Sequence, residues 1–354
     1  MPIVTAHFHL DELLDDGAPE HSTDRSPNAA LAAARMAVLI PCYNEAATIA
    51  SVVADFRRTL PTAVVYVYDN NSSDDTWNIA TQAGAIVRAE PLQGKGNVVR
   101  RMFADIEADV YVLVDGDGTY DAEAAHRMVR LLLDNSLDMV NAARVPVTEL
   151  AYRPGHKFGN RLLTGTVAAI FGNRIRDMLS GYRALSRRFV KSFPALASGF
   201  ETETELTVHA LELRLPIAEI ETPYRDRPQN SHSKLRTFED GLRILRTIIL
   251  LVKEERPLQF FSLTAAALAT ISIVLAWPLL SNYIETGLVP RLPTAVLVTG
   301  LMVLAFMSFV AGLVLDTVTL GRREIKRLHY LGLRGPSVNE RRLLSTHPPA
   351  DRRS

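Results

Sequence analysis

Short apolar runs rich in β-branched and aromatic residues recur between residues 36 and 142, and segments with helical spacing separate them. The runs predict strands at residues 36–40, 64–68, 85–89, 110–114 and 138–142. Apolar residues three and four positions apart predict helices at 46–59, 76–83, 94–105 and 122–134. Strands that alternate with helices at this spacing predict an α/β fold with a doubly wound, mostly parallel sheet.

The pattern is less regular after residue 142, although three later segments still have a recognisable period. Residues 177–183 are typical of a strand or turn that leads into a helix, 201–213 have helical spacing, and 216–223 are extended. A polar, basic loop follows at 224–235. The α/β domain is therefore predicted to cover residues 36–236.

Two apolar runs, at residues 260–280 and 295–315, contain no charged residue and are long enough to cross a bilayer as helices. We interpret residues 258–318 as a membrane hairpin; a buried helical hairpin of a soluble protein is the alternative. Residues 237–257 predict a basic amphipathic helix. Such a helix would lie in the membrane interface, or it would pack on the α/β domain.

Basic residues flank the hairpin on both sides and predict its orientation. Lys253 and Arg256 precede it, and four basic residues between 322 and 327 follow it. Positive flanks stay on the cytoplasmic side, so we expect an integral inner or plasma membrane protein whose α/β domain and termini are cytoplasmic. Residues 319–354 would form a basic tail, disordered or near the headgroups from residue 328. Residues 1–35 are predicted to be a mobile tail and do not resemble a secretory signal.

Composition narrows the possible partners. Lys and Arg total 39, as do Asp and Glu, so overall charge does not indicate nucleic-acid binding. Cys42 is the only cysteine, which excludes an intrachain disulfide and a cysteine-rich zinc site. Small residues within 265–269 and 300–312 permit close helix contacts, so a homo-oligomer is possible.

Asp115 and Asp117 directly follow the predicted strand at 110–114. Carboxylates at the carboxyl end of a parallel strand face the crevice where open α/β sheets bind ligands. One or two carboxylates, together with substrate phosphates, are a common arrangement for Mg²⁺ or Mn²⁺. Asp and Gly are also common turn residues, so a polar turn is the alternative when the pair is considered alone.

Several motifs carry a resemblance to a known family. In chain order they are Pro41-Cys42-Tyr43-Asn44-Glu45, Asp69 with Ser72, Asp74 and Thr76, Gly94-Lys95-Gly96, Asp115-Gly116-Asp117, Ser180-Gly181-Tyr182-Arg183, residues 201–205, and Ser233-Lys234-Leu235. The chain resembles the family 2 glycosyltransferases of the GT-A fold. The later motifs are similar to the branch with dolichyl-phosphate mannose synthase and the bacterial membrane-anchored polyprenyl-phosphate glucosyltransferases. The resemblance covers about residues 36–256.

The resemblance implies a nucleotide sugar as donor and Mg²⁺ or Mn²⁺ as cofactor. Asp115 and Asp117 would be the metal ligands, and Asp117 the more direct one. Tyr43 would stack on the base, Glu45 would accept from ribose hydroxyls, and Asp69 from a ring N–H. The full set implied for the nucleotide sugar is Pro41, Tyr43, Glu45, Asp69, Lys95, Asp115, Arg225, Arg227 and Lys234. The set implied for catalysis is Asp115, Asp117, Arg183 and Lys234.

The resemblance also implies a polyprenyl phosphate as acceptor, beside membrane lipids. A phosphate monoester is largely ionised at neutral pH, so it needs a basic cradle more than a general base. The basic residues for this cradle would be Arg144, Lys157, Arg161 and Arg183. Asp177 would orient Arg183 or the sugar, or else be a structural carboxylate.

Three positions depart from the family pattern. Asn70 stands where a second acidic residue is common, the basic loop from Arg227 to Lys234 lacks the usual glycine, and residues 118–121 are Gly-Thr-Tyr-Asp. Because of the last departure, the resemblance does not indicate which sugar is transferred. Two other functions remain as alternatives: a polysaccharide synthase of the same superfamily, and a non-catalytic membrane scaffold. The Q-x-x-R-W motif of the synthases is absent, since Trp77 and Trp277 lie in other settings.

Overall fold

The computed structural model describes residues 34–146, 165, 167–168, 175–196, 201–225, 246 and 249–335. Within them the strands are β1 (Met36–Cys42), β2 (Val64–Asp69), β3 (Ile86–Ala89), β4 (Val110–Leu113), β5 (Met139–Pro146), β6 (Arg183–Ser186) and β7 (Ile217–Tyr224). The helices are α1 (Ile49–Thr59), α2 (Thr76–Gln82), α3 (Lys95–Asp105), α4 (Ala124–Asp134), α5 (Arg187–Ser192), α6 (Thr202–Glu212), α7 (Pro257–Thr286) and α8 (Leu292–Leu331).

The strands form one sheet in the order β3–β2–β1–β4–β6–β5–β7. Parallel pairs join β1 to β2 and β4, β2 to β3, and β5 to β7. Strand β6 runs antiparallel between β4 and β5. The sheet is therefore mostly parallel, as predicted.

Helices cover both faces of the sheet because alternate residues of a strand point to opposite sides. Val38 and Ile40 of β1 pack with apolar residues of α1 and α4. Ala37 and Leu39 pack with those of α3, α5 and α6 on the other face. Every residue of β1 and β4 is buried, as expected for strands covered on both sides. The two layers confirm the predicted doubly wound α/β fold.

The element ends differ from the predictions mainly around the polar turns. Helix α1 begins at Ile49 instead of residue 46, because residues 43–48 form turns. Residues 177–180 are turn and loop, and the strand β6 that follows at Arg183 is antiparallel. Nothing in the apolar pattern indicates the direction of a four-residue strand.

Helices α7 and α8 contain the predicted spans, and they are 30 and 40 residues long. Both are apolar enough to cross a membrane, yet only 11% of the most apolar window of each is buried. Leu263, Trp277 and Phe306 are each more than two thirds exposed. A helix in the core of a soluble protein would bury such side chains. The exposure favours membrane spans over the alternative of a buried hairpin.

Helix α8 continues for about four turns past the predicted span at 295–315 and lies against the α/β domain. Lys326 donates to Glu212 of α6 at 2.7 Å, and Tyr330 donates to Asp138, just before β5, at 2.6 Å. We call residues 319–331 the docking segment. Residues up to Leu331 are helical, so the first part of the predicted basic tail at 319–354 continues α8.

Other parts of the predicted domain division fall largely outside the described residues. Of the N-terminal tail at 1–35, only residues 34 and 35 are described, and of the predicted amphipathic helix at 237–257, residues 246 and 249–255 are helical. The basic loop beyond Arg225 and residues 336–354 also lie outside.

The Lys326 contact yields a stability prediction. Glu212 has a side chain only 1% exposed, so it needs its cationic partners. We expect Lys326→Met to lower the free energy of unfolding by about 1.5–3 kcal/mol, the range for a hydrogen bond to a charged group. Thermal unfolding of the detergent-solubilised protein measures this. Arg327→Met is the matched control, because Arg327 is exposed. An equal effect of both substitutions would contradict the docking role.

Candidate active site

Three parallel strands end side by side at one edge of the sheet. Asp69 is the last residue of β2 and lies opposite Cys42, the last residue of β1. Asp115 and Asp117 follow β4, which pairs with the other side of β1. Asp69, Asp115 and Asp117 therefore share one edge, which is where open α/β sheets bind ligands.

The loop after β1 is hydrogen-bonded to the loop after β2. The backbone N–H of Asn44 donates to Ser72 Oγ, and that of Glu45 donates to Thr76 Oγ1, both at 2.9 Å. Asn44 has a φ of 52°, a conformation that Asn adopts more readily than most residues. Its Oδ1 accepts from the Ser73 N–H at 2.7 Å. These polar residues fix the backbone around Glu45.

The residues expected around the base differ in exposure. Pro41 is buried within β1, whereas Tyr43, in the loop after β1, is 37% exposed. Asp69 is 8% exposed, and its Oδ2 accepts from the Ser72 N–H at 3.2 Å. Its Oδ1 is buried without a hydrogen-bond partner. Leaving such an oxygen unpaired is costly, so Asp69 fits a ligand that donates a hydrogen bond.

The hydrogen bonds of Asn70 give a physical reason for an amide at this position, where the family commonly has an acidic residue. Its Nδ2 donates to the carbonyls of Glu90 and Leu92, both at 2.8 Å, and its Oδ1 accepts from the Gly94 N–H at 2.7 Å. An aspartate accepts hydrogen bonds but has no N–H to donate to these carbonyls. The amide therefore holds the loop that leads to Lys95.

Lys95, the first residue of α3, lies between two carboxylates. Its Nζ donates to Asp115 Oδ1 at 2.5 Å and also to Glu203 Oε1. The side chains of Lys95 and Glu203 are only 10% and 8% exposed. Burial by itself would lower the pKa of Lys95, but the two carboxylates raise it well above its usual value. The ammonium is therefore charged, and it joins α3 to the loop after β4 and to α6.

Glu203 is a site residue that the sequence did not single out. It lies in the first turn of α6, 108 positions from Lys95, so no local spacing indicates the contact. Residues 201–205 entered only through the family resemblance. Lys95 and Glu203 are in contact because the fold places the start of α6 beside the carboxyl ends of the strands.

Arg183 lies inside the domain and holds the start of α6. Its Nη2 donates to the carbonyls of Met178 and Glu203 at 2.8 and 2.9 Å. The residue is fully buried, and burial lowers the pKa of its guanidinium to about 10. In the described residues Arg183 contacts the backbone that carries Glu203. Its expected role in catalysis or in binding the acceptor phosphate stays a prediction.

Two glycines allow the carboxylate loop to pack closely. A Cβ at Gly181 would lie 2.3 Å from Asp115 Oδ2, and one at Gly116 would lie 2.7 Å from Cys42 Sγ. Either contact is too short for a real side chain. Asp115 is therefore held between Lys95 on one side and the backbone at Gly181 on the other.

Asp115 and Asp117 fit a divalent cation that takes further ligands from its substrate. Asp117 is 3% exposed, and its Oδ1 accepts from the backbone N–H and the hydroxyl of Thr119. Asp115 has the more accessible side chain, at 30%. Within the described ranges, no three His, Cys, Asp or Glu residues form a metal cluster. Two carboxylates suffice for Mg²⁺ or Mn²⁺ when phosphates and water complete the coordination.

The predicted basic residues are only partly described. Arg144 of β5 forms a bidentate pair with Asp177, with Nε–Oδ2 and Nη2–Oδ1 distances of 2.7 and 2.8 Å. Asp177 thus orients Arg144, which corrects the alternative that it orients Arg183. Arg225 follows β7, and its side chain is 62% exposed and 3.6 Å from Asp121. The remaining predicted cations, Lys157, Arg161, Arg227 and Lys234, lie outside the described residues.

Comparison with known proteins gives consistent matches. The family described as glycosyl transferase family 2 matches residues 37–193. Glycosyltransferase AglJ of Haloferax volcanii is 31% identical over 300 residues, which are 83% of this chain and 97% of the relative. A dolichyl-phosphate hexose transferase of the same organism is 28% identical over 221 residues, 62% of this chain and 95% of the relative.

A solved structure matches the same part of the fold. It is glucosyl-3-phosphoglycerate synthase from Mycobacterium tuberculosis in complex with Mn²⁺, UDP and glucosyl-3-phosphoglycerate. The TM-score is 0.53 at 25% identity, and the match covers 66% of this chain and 86% of the other.

The packing of Asp115 against Gly181 yields a prediction. Gly181→Ala must displace the Asp115 carboxylate, so we expect turnover of a nucleotide sugar to fall by about a hundred-fold, the effect of a misplacement near 1 Å. The control is Gly300→Ala in α8, where an added Cβ meets nothing within 4 Å. Steady-state rates of both variants measure the effect. Unchanged turnover in Gly181→Ala would show that the position of Asp115 is unimportant.

Proposed function

The chain belongs to glycosyl transferase family 2, and from this premise we propose that it transfers a sugar from a nucleotide sugar to a polyprenyl phosphate. The donor is a UDP- or GDP-linked sugar, and the reaction is metal-dependent and inverts the anomeric configuration. It takes place at the cytoplasmic face of the membrane that α7 and α8 span. The product is a lipid-linked sugar that serves as donor for cell-envelope glycans or glycoprotein modification.

The observation that carries the lipid acceptor is the continuity of α8 with the catalytic domain. A helix of 40 residues is about 60 Å long, twice the hydrocarbon thickness of a bilayer. Its docking segment is bonded to Glu212 and Asp138 of the catalytic domain. The docking segment thereby joins the catalytic domain directly to the spanning helices, and a polyprenyl phosphate presents its headgroup at the surface of the same membrane. The described part of the chain has two candidate spans, fewer than a polysaccharide synthase needs to thread a polymer.

The relatives support the same choice of substrates. One is named a dolichyl-phosphate hexose transferase, which favours a lipid phosphate as acceptor. The glucosyl-3-phosphoglycerate synthase structure holds UDP and Mn²⁺, which favours a nucleotide sugar and a divalent cation for this chain.

The donor nucleotide would be bound by the loops after β1 and β2. Tyr43, which is partly exposed, would stack on the base, and the unpaired Oδ1 of Asp69 would accept from a ring N–H. Glu45 would accept from ribose hydroxyls. Its Cγ lies near Gly116, within the Asp115–Asp117 loop, so the ribose and diphosphate positions are adjacent.

Asp115 and Asp117 would hold Mg²⁺ or Mn²⁺, which when bound neutralises charge that builds on the departing nucleoside diphosphate. Arg225 is exposed beside Asp121, and it would add a guanidinium to the diphosphate together with Arg227 and Lys234 of the same loop. These side chains favour departure because they stabilise the leaving group more than the intact donor.

The transfer is a single displacement. An acceptor phosphate oxygen forms a bond to the anomeric carbon while the bond from that carbon to the diphosphate oxygen breaks, and the electron pair leaves with the nucleoside diphosphate. The attacking phosphate is already ionised, so no proton has to be removed. Arg144, oriented by Asp177, would contact this phosphate together with Lys157 and Arg161.

Membranes that contain the protein test this proposal directly. We expect incubation with radiolabelled UDP- and GDP-sugars and Mn²⁺ to yield labelled polyprenyl phosphate from one donor. Asp117→Asn should lower the yield at least about a hundred-fold, since it removes a charge at the site. Asp134→Ala is the control, because Asp134 is exposed at the end of α4 remote from the site.

Two outcomes would contradict the proposal. If no donor in the panel gave labelled lipid, the assigned acceptor would be wrong. If Asp117→Asn kept full activity, the assigned metal ligand would be wrong.

A further inference from the structure

Lys95 and the divalent cation of the proposed function need the same ligand. The Lys95 ammonium contacts Asp115, the more accessible of the two expected metal ligands, and it also contacts Glu203. A cation that approaches Asp115 meets a positive charge that is already bound there. Two cations bound to the same carboxylate repel each other, and this site is partly screened from water, so the two cations compete.

We propose that Lys95 is a built-in competitor of the divalent cation. It gives up Asp115 only when the cation arrives with a nucleoside diphosphate, and Glu203 then keeps the ammonium. This inference rests on the metal role of Asp115 in the proposed function. It assigns Glu203 as a positioning residue that acts through Lys95.

Glu203 is built to receive the ammonium. Its Oε1 accepts from Lys95, while its Oε2 is buried without a hydrogen-bond partner. An ammonium has three donors, so Lys95 can exchange its bond to Asp115 for a second bond to Glu203. The exchange would satisfy the buried oxygen and keep the ammonium paired.

The backbone that carries the Glu203 carboxylate is also held in place. Arg183 donates to the Glu203 carbonyl at 2.9 Å, and Thr207 Oγ1 donates to the same carbonyl at 3.0 Å. The start of α6 is therefore fixed with respect to β6, which carries Arg183. Lys95 has a fixed partner in Glu203 and a partner in Asp115 that it can release.

The consequence is an order of binding. A divalent cation alone has to displace Lys95 and gains only carboxylates and water. A cation that carries a diphosphate brings phosphate oxygens as further ligands, so the displacement is favourable overall. The site would bind free Mn²⁺ weakly and the cation–nucleotide complex more tightly.

Mn²⁺ binding without nucleotide tests the competition, with the full-length protein in detergent and electron paramagnetic resonance to count free Mn²⁺. We expect Lys95→Met to bind Mn²⁺ about ten-fold or more tightly than the unmodified protein, because the competing charge is gone. Lys95→Met/Asp115→Asn should lose that gain, which locates the ion at Asp115.

The double variant Lys95→Met/Glu203→Gln distinguishes competition for Asp115 from a general effect of the net charge of the site on Mn²⁺ affinity. It removes one positive and one negative charge, so its net charge equals that of the unmodified protein. Competition predicts that it also binds Mn²⁺ more tightly, whereas a simple field effect predicts unchanged affinity. The variant also avoids a buried, unpaired Glu203, so it is the test that remains if Lys95→Met fails to fold.

An affinity for Mn²⁺ in the double variant no higher than in the unmodified protein would overturn the inference. A parallel titration with UDP present keeps this result distinct from the proposed function. If the unmodified protein binds Mn²⁺ with UDP while the double variant shows no gain without UDP, only the competition is wrong. If the unmodified protein binds no Mn²⁺ with UDP or GDP, the metal role itself is wrong, and the inference fails with it.

Discussion

The contact on which the site depends is the Lys95 ammonium between Asp115 and Glu203. It joins three parts of the chain that are far apart in sequence: the start of α3, the loop after β4 and the first turn of α6. A charge at this depth is tolerated only when it is paired. The three elements therefore meet in the substrate-free domain, and Asp115 is positioned before any substrate binds.

Helix α6 connects this site to the helix that contains the second candidate membrane span. Its first turn carries Glu203, and its last residue, Glu212, pairs with Lys326 of the docking segment. Nearly every residue between them is buried, so the helix cannot shift without disturbing the core. The catalytic domain is therefore firmly attached to α8, which suits the proposed acceptor, whose reactive group lies at headgroup depth.

Sequence patterns predicted the parts of the fold that depend on local order. The strands before β6 and the helices between them follow from apolar periodicity, and both candidate membrane spans follow from the length of the uncharged apolar runs. Motif resemblance located Asp69, Lys95 and the Asp115–Asp117 pair at one sheet edge. Long-range polar contacts have no period, so the pairing of Glu203 with Lys95, the buried position of Arg183 and the docking segment required the three-dimensional structure.

The proposed acceptor is a lipid phosphate at the membrane. Bilayer discs with the purified protein, a nucleotide sugar and Mn²⁺ test this acceptor through the release of nucleoside diphosphate. We expect release that depends on polyprenyl phosphate in the disc, with one nucleoside diphosphate formed for each lipid-linked sugar. Polyprenol, which has the same chain without the phosphate, should give none. Equal release with polyprenol, or with neither lipid, would show that a lipid phosphate is not the acceptor.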